Sequence, residues 1–355
     1  MTTIWPITTI SNISTTTTTT TTTTNNYADA ARIASLHAKY ISITIFGIIS
    51  NVVLVLLIFL SRTLRTTPFF WNILNLCVFD SVIVMFVIPF GLDYELDWSW
   101  SYGEWTCKMW YAADFWHMLM AGTTISCICI DRIVATFETF ISIKANVLRF
   151  VSIFLVTCPW LFLVTVCIPL LVVFENNESK LPSSTCFFQF HAMHMKTMAI
   201  VSLALPNSLM IVACTTMLFV YILKGGNWNR IPSNRASAEE VGLKLSVIAV
   251  WVVVTASLIC WLPVTGLVFF TIFFDSKCKG FTWSDYMDVY LLQIMTSSLT
   301  PFLWIILPEV RHELAIWRYF ISGFLRLRKN IPSSLAPSYQ NETQDSETEI
   351  QDNTI

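Results

Sequence analysis

Seven long apolar segments, separated by short polar connections, dominate the pattern of this sequence. Each is close to the roughly 20 residues that a helix needs to cross the hydrocarbon core of a membrane. Because unpaired backbone groups are not tolerated in lipid, each segment is predicted to be an α-helix. The pattern therefore predicts an all-α membrane protein, a bundle of seven transmembrane helices. The segments lie at about residues 40–61, 69–92, 105–130, 148–174, 195–223, 243–274 and 286–307.

Polar stretches flank the apolar part of the chain on both sides. Residues 1–37 contain a threonine run from Thr15 to Thr24 and are predicted to be a disordered extracellular arm. No apolar stretch closely follows Met1, so no signal peptide is predicted. We assign the seven-helix domain to residues 38–308, a short amphipathic eighth helix to 309–325 and a polar tail to 326–355.

Composition agrees with a membrane protein and argues against other classes. The chain is 55% hydrophobic and 12% charged, whereas soluble domains carry about 25% charged residues. A net charge of −2 offers no basic surface for nucleic acid. The pair His191 and His194 lacks a third metal ligand and no glycine-rich nucleotide motif is present, so an enzyme is not expected. No internal repeat supports an inverted-repeat transporter.

Lysine and arginine residues are distributed unequally between the two sets of connections. The side that contains Arg62 carries nearly twice as many as the side that contains Lys108. By the positive-inside rule, the first side is cytoplasmic and the amino terminus is extracellular. The sequons at Asn12 and Asn177 then lie outside the cell and are predicted to be glycosylated.

Short motifs occur in a fixed order, one or more in each segment. They are Asn51, Asp80, the run Asp131-Arg132-Ile133, Trp160 with Pro169, Pro206, the run Cys260-Trp261-Leu262-Pro263, and Pro301. Over residues 40–325 this set resembles the rhodopsin-like (class A) G-protein-coupled receptors. The loop from Trp100 to Cys107, with Tyr102 and Gly103, further resembles that of chemokine receptors. Together with the threonine-rich arm, it resembles a virus-encoded homologue of the cytomegalovirus type.

The resemblance implies a plasma-membrane receptor (in the host cell membrane if the chain is viral) that transmits the binding of an extracellular peptide or chemokine to heterotrimeric G proteins. It implies no cofactor, and it implies arrestin binding to the phosphorylated tail. A disulfide is implied between Cys107 and Cys186. The implied functional residues are Asp131, Arg132 and Ile133 for G-protein coupling, Asn51, Asp80, Trp261, Pro263, Thr300, Pro301 and Trp304 for the activation switch, and Asp114, Trp261, Tyr290 and Gln293 for the ligand cavity.

Several positions depart from the family pattern. Thr300 and Trp304 replace the usual polar residues of the seventh segment, Leu243 is no acid that could restrain Arg132, and Ala121 cannot ligate sodium. These changes predict signalling without agonist and little response to sodium. The alternative is a receptor that does not signal and instead captures and internalises a ligand, or modulates a partner in the membrane.

Two acids within the apolar segments are candidate functional residues, because a carboxylate in the membrane is costly and needs a partner. Asn51 is the expected partner of Asp80, and the resemblance also implies a weak sodium site at Asp80. Asp114 lies five helical turns before Arg132 and is expected to face the same cavity. It pairs either with a cationic group of a ligand or with a partner within the bundle, such as His117 at i+3.

Overall fold

A computed structural model describes residues 22–97, 99–138, 144–167, 186, 196–197, 199–225, 236–274 and 283–329. Within these ranges the regular structure is helical, and seven helices are long and apolar enough to cross a membrane. This confirms the predicted all-α seven-helix class. Five helices are single stretches: α1 (Thr22–Leu60), α3 (Gly103–Glu138), α6 (Ala236–Phe274), α7 (Trp283–Leu303) and α8 (Pro308–Lys329). The other three contain a π-helical turn. α2 consists of Pro68–Val82, Ile83–Val87 and Ile88–Asp97, α4 begins with Ala145–Phe162 and Leu163–Cys167, and α5 ends with Ile200–Ala204 and Leu205–Gly225.

Two helices extend beyond the apolar segments that predicted them. α1 begins at Thr22, so helical backbone covers residues 22–37, which the sequence assigned to the disordered arm. Five alanines between residues 28 and 38 explain the extension, because alanine is the strongest helix former. α3 continues to Glu138, past the apolar limit at residue 130. Helix length here follows backbone propensity rather than hydropathy.

π-helical turns in α2, α4 and α5 each end two residues before a proline of the sequence. They are Ile83–Val87 before Pro89, Leu163–Cys167 before Pro169, and Ile200–Ala204 before Pro206. Proline lacks a backbone donor, and its ring clashes with the carbonyl four residues earlier. The backbone N–H groups of Ile88 and Leu205 instead donate to the carbonyl five residues earlier. In α2 and α5 this wider turn keeps the helix continuous past the proline.

α3 is the central helix of the bundle, in contact with α2, α4, α5 and α6. Its closest approach is to α5, where Gly122 faces Pro206. A Cβ atom added at Gly122 would lie 2.5 Å from the Cβ atom of Pro206. Real Cβ atoms essentially never come this close, so the missing side chain sets the distance between the two helices.

The chain divides into two compact units, Met1–Arg311 and His312–Ile355. The first unit contains all seven transmembrane helices. α8 is amphipathic along its own length, with charged Glu309 and Arg311 near its start and exposed apolar Phe320 and Ile321 further on. The sequence predicted this eighth helix at residues 309–325, within the observed range.

Substituting Gly122 by alanine should destabilise the bundle, because the new methyl group overlaps the rigid ring of Pro206. Overpacking of this kind costs about 1–3 kcal/mol. The matched control is Gly266→Ala in α6, where a new Cβ atom meets no atom within 4 Å. Thermal unfolding of the purified full-length chain should show a lower Tm for Gly122→Ala and no loss for Gly266→Ala. Equal melting temperatures for the two variants would contradict the close approach of α3 and α5.

Candidate functional site

Cys107, at the start of α3, forms a disulfide with Cys186. The S–S distance is 1.98 Å and the two Cα atoms are 5.5 Å apart, which is the usual separation. Trp100 packs on the disulfide, and its indole N–H donates to the carbonyl of Gly103 at 2.8 Å. The positive φ of 79° at Gly103 turns the chain into α3. We call this end of the bundle the disulfide end.

Asp114 and Tyr290 join α3 to α7, two helical turns below the disulfide. The Tyr290 hydroxyl donates to Asp114 Oδ1 at 2.7 Å. Both side chains are only partly buried, so this pair borders accessible space. Gln293, expected in the same cavity, is 4% exposed and belongs to the interior of the bundle. Asp114 thus has a hydrogen-bond partner within the bundle, which was one of the two expected alternatives. That partner is Tyr290, whereas His117, the residue named as an example, bonds to Asp80 and Ser297.

His117 bonds to Asp80 in the centre of the bundle. Its Nε2 atom lies 3.0 Å from Asp80 Oδ1 and 3.1 Å from Ser297 Oγ. Asp80 and His117 are each 3% exposed. We call these three residues the Asp80 cluster. It connects α2, α3 and α7.

The expected pair between Asn51 and Asp80 is not what the structure shows. The Asn51 side-chain amide donates to the carbonyls of Gly47 and Ser297, each at 2.9 Å. Asn51 therefore joins α1 to α7 through backbone oxygens, while the imidazole of His117 is long enough to reach Asp80 from α3. The predicted need of Asp80 for a polar partner holds, but that partner is His117, which the sequence analysis considered only beside Asp114.

Trp261, two residues before Pro263 in α6, is tied to α7. Its indole N–H donates to Thr296 Oγ1 at 2.9 Å, and that hydroxyl donates to the carbonyl of Gln293. The Trp261 ring also meets the His117 ring edge to face, with centroids 6.2 Å apart. Helix α6 thereby contacts the Asp80 cluster through an aromatic ring.

Arg132 is held by contacts from three directions. It donates to Asp131 through Nε and Nη2, and Nη1 donates to Ser246 Oγ in α6 at 3.1 Å. Its guanidinium carbon lies 4.0 Å from the ring centroid of Phe69 in α2. We call these four residues the Arg132 cluster. Leu243 cannot restrain Arg132, as expected, but Ser246 lies one turn further along α6 and accepts the bond.

Trp304 also reaches the Arg132 cluster. It is completely buried, and its ring meets the edge of Phe69 with centroids 6.1 Å apart. Thr300, the other altered position of α7, donates only to the carbonyl of Thr296 in its own helix. Phe69 therefore lies between Trp304 and Arg132. The 3₁₀ turn Trp304–Ile306, which directly follows α7, is thus linked to Arg132 through aromatic packing.

A cavity of about 490 Å³ opens beside the Arg132 cluster. Polar atoms of Arg132, Ser246 and Glu309 share its wall with apolar Phe69, Leu243 and Leu307. It is bounded by residues of α2, α3, α6 and the start of α8, by Thr63 and Thr67 before α2, and by Leu307 before α8, all within the first unit. We call this end of the bundle the Arg132 end.

The chain matches, over residues 50–304, the family model described as 7 transmembrane receptor (rhodopsin family). It belongs to this receptor family. The receptor is 25% identical over 275 residues to the allatostatin-A receptor of Bombyx mori, covering 75% of this chain and 74% of that protein. It is 25% identical over 235 residues to C-C chemokine receptor type 8 of Macaca mulatta, covering 65% and 62%. Family membership also bears out the expectation that the chain is a receptor and not an enzyme.

Several expected sites lie outside the described residues. They are the sequons Asn12 and Asn177, the histidines 191 and 194, and the tail proposed to bind arrestin. Within the described ranges, no group of three metal-ligating side chains occurs.

Phe69 and Ser246 are functional candidates that the sequence reasoning missed. Both look like ordinary residues of apolar helices when they are taken alone. A signal was present for Ser246, because it stands three residues after Leu243 and hence on the same helical face. No comparable signal existed for Phe69, whose role depends on how α2 packs against α3 and α7.

Mass-spectrometric mapping of the unreduced receptor should recover a peptide linking Cys107 to Cys186. Breaking the bond by Cys186→Ser should lower the Tm, because the bond closes a loop with a sequence separation of 79, for which chain entropy predicts about 3–5 kcal/mol. Cys158→Ala, at a free cysteine, is the control and should have a smaller effect. Recovery of Cys107 and Cys186 as free thiols from folded receptor contradicts the assignment.

Proposed function

We propose that the chain is a G-protein-coupled receptor, with the disulfide end outside the cell and the Arg132 end in the cytoplasm. The Lys/Arg distribution supports this orientation. The chemokine-receptor-like loop before Cys107 supports a peptide or chemokine as the extracellular ligand. The same loop and the threonine-rich arm support a virus-encoded homologue acting in a host cell membrane.

The observation that carries the proposal is the cavity at the Arg132 end. It combines a cationic centre, hydroxyl groups and an apolar wall, which suits the end of an amphipathic helix bearing carbonyl groups. Of its lining residues, Arg132 is the strongest hydrogen-bond donor, with five N–H groups in one plane. A G-protein helix that enters the cavity is expected to compete for these donors.

Ser246 has to release Arg132 before α6 can move outward. A hydrogen bond to a charged group contributes about 1.5–3 kcal/mol. The contact between Arg132 and the Phe69 ring adds about 0.5–2 kcal/mol. These amounts match a two-state equilibrium in which the open state is a minor but measurable population.

Ligand binding is proposed at the disulfide end. Asp114 and Tyr290 form the polar floor of this region, and a cationic ligand group would compete with the Tyr290 hydroxyl for the carboxylate. Breaking that bond removes one of the hydrogen bonds between α3 and α7, another being that of His117 with Ser297. α7 also carries Thr296, which accepts the hydrogen bond of Trp261. This gives a physical route from the ligand to α6.

Altered contacts of α7 favour the second candidate, a receptor that captures and internalises a ligand without signalling. The Thr300 hydroxyl bonds within its own helix, and the indole N–H of Trp304 has no partner among the described residues. Neither residue offers Arg132 a polar contact in the closed bundle. The two candidates differ in whether nucleotide exchange depends on Arg132.

The deciding measurement is nucleotide exchange by purified G protein on membranes that contain equal amounts of receptor, without agonist. Exchange should be faster with wild type than with Arg132→Ala. Ser246→Ala should increase basal exchange above wild type, because loss of about 1.4 kcal/mol of restraint shifts the equilibrium about tenfold. Thr255→Val is the control, since the Thr255 hydroxyl donates to the Trp251 carbonyl within α6.

The outcomes separate the two candidates. Equal rates for wild type, Ser246→Ala and Arg132→Ala reject coupling through this cavity and favour ligand capture. A rate that rises with Thr255→Val as much as with Ser246→Ala shows that α6 is merely destabilised by loss of a hydroxyl. Only a selective effect of Ser246 supports its role in restraining Arg132.

A further inference from the structure

The His117 imidazole lies between two oxygen atoms that a cation beside Asp80 could use, Asp80 Oδ1 and Ser297 Oγ. The one imidazole atom Nε2 contacts Asp80 Oδ1 at 3.0 Å and Ser297 Oγ at 3.1 Å. Since an ionised carboxylate only accepts hydrogen bonds, we assign the proton to Nε2, which donates to Asp80. Asp80 Oδ1 and Ser297 Oγ are therefore both in contact with a side chain of the receptor itself.

The remaining side chains do not complete a sodium site. A hard cation needs several oxygen ligands converging on one point. Ala121 is buried and supplies only a methyl group, and the Thr300 hydroxyl is directed to the Thr296 carbonyl of its own helix. The sodium site implied by the family resemblance does not fit these residues.

Because Asp80 is buried, its carboxylate requires a partner when no ion is bound beside it. An unpaired carboxylate at this depth is costly, and removal of one partner from a buried pair is strongly destabilising. Asp80 Oδ2 has no hydrogen-bond partner among the described residues, so His117 provides the main compensation. The imidazole also meets the Trp261 ring, which places it between the acid and α6.

We propose that His117 is a built-in substitute for sodium: its imidazole, held by Asp80 and Ser297, excludes the ion and stabilises the closed bundle whether or not sodium is present. The expected indifference to sodium then has a specific cause, an occupied position, in addition to the missing ligand at Ala121. The proposal concerns ion binding and does not depend on G-protein coupling.

The test is thermal unfolding of the purified full-length receptor in sodium chloride and in potassium chloride at equal ionic strength. Wild type should have the same Tm in both salts. His117→Asn removes the imidazole, frees both oxygen atoms and adds an amide oxygen. The Tm of this variant should rise with sodium concentration until it reaches a plateau. At the plateau it should be about 2 °C or more above the Tm in potassium chloride.

The double variant His117→Asn with Asp80→Asn is the control. It should lose the sodium-specific shift, because the charged ligand is gone. Such a result identifies the ion-binding position with Asp80 and separates it from a general effect of salt on detergent or loops.

Two results overturn the proposal. One is a sodium-specific shift in wild type that disappears in Asp80→Asn, because the ion then binds in the presence of His117. The other is a folded His117→Asn variant that ignores sodium, because something other than the imidazole then excludes the ion. If His117→Asn cannot be purified, the comparison of wild type with Asp80→Asn decides: no sodium-specific shift in either supports the proposal.

Discussion

Polar groups inside a membrane have to be satisfied by the protein itself, and in this receptor that requirement centres on the Asp80 carboxylate. Asp80 is buried inside the bundle, so a neighbouring helix has to provide the hydrogen-bond partner of its carboxylate. The Asp80 cluster does this by drawing α2, α3 and α7 together. Asn51 and Trp261 extend the same network to α1 and α6. Five of the seven helices thus depend on polar contacts that surround one acid.

α3 carries a residue of each polar cluster, His117 in the Asp80 cluster and Arg132 in the Arg132 cluster. Along its axis, His117 and Arg132 are 15 positions apart, which corresponds to about 22 Å at 1.5 Å per residue. His117 is buried and bonded to Asp80, whereas Arg132 borders an open cavity. A buried network resists change, and a group beside a cavity can exchange partners. The mobile part of the receptor is therefore expected at the Arg132 end.

Hydropathy and length were sufficient to predict the seven helices, because a membrane imposes both constraints directly on the sequence. The π-helical turns were not predicted, although each precedes a proline, since a proline alone does not say whether a helix bends, breaks or widens. The pairing of Asp80 failed for a different reason. Asn51 and His117 both lie on inward faces, and only the tilt and separation of α1 and α3 decide which side chain reaches the acid. Spacing within one helix made His117 a candidate partner of Asp114, but a shared face does not make two side chains each other's partners, and Asp114 bonds to Tyr290.

The altered α7 motif is best understood through Phe69. Polar residues at the end of α7 would contact Arg132 by hydrogen bonds, which have narrow geometry and respond to hydration. Trp304 and Phe69 instead meet edge to face, and Phe69 meets the guanidinium with its ring. Aromatic packing of this kind tolerates small displacements and is insensitive to the direction of a donor. A rotation of α7 can therefore alter the support of Arg132 gradually, while the single hydrogen bond to Ser246 breaks at a defined displacement of α6. In the proposed opening of the bundle, the sharp step then belongs to α6, and the turn after α7 sets how strongly the closed state resists it.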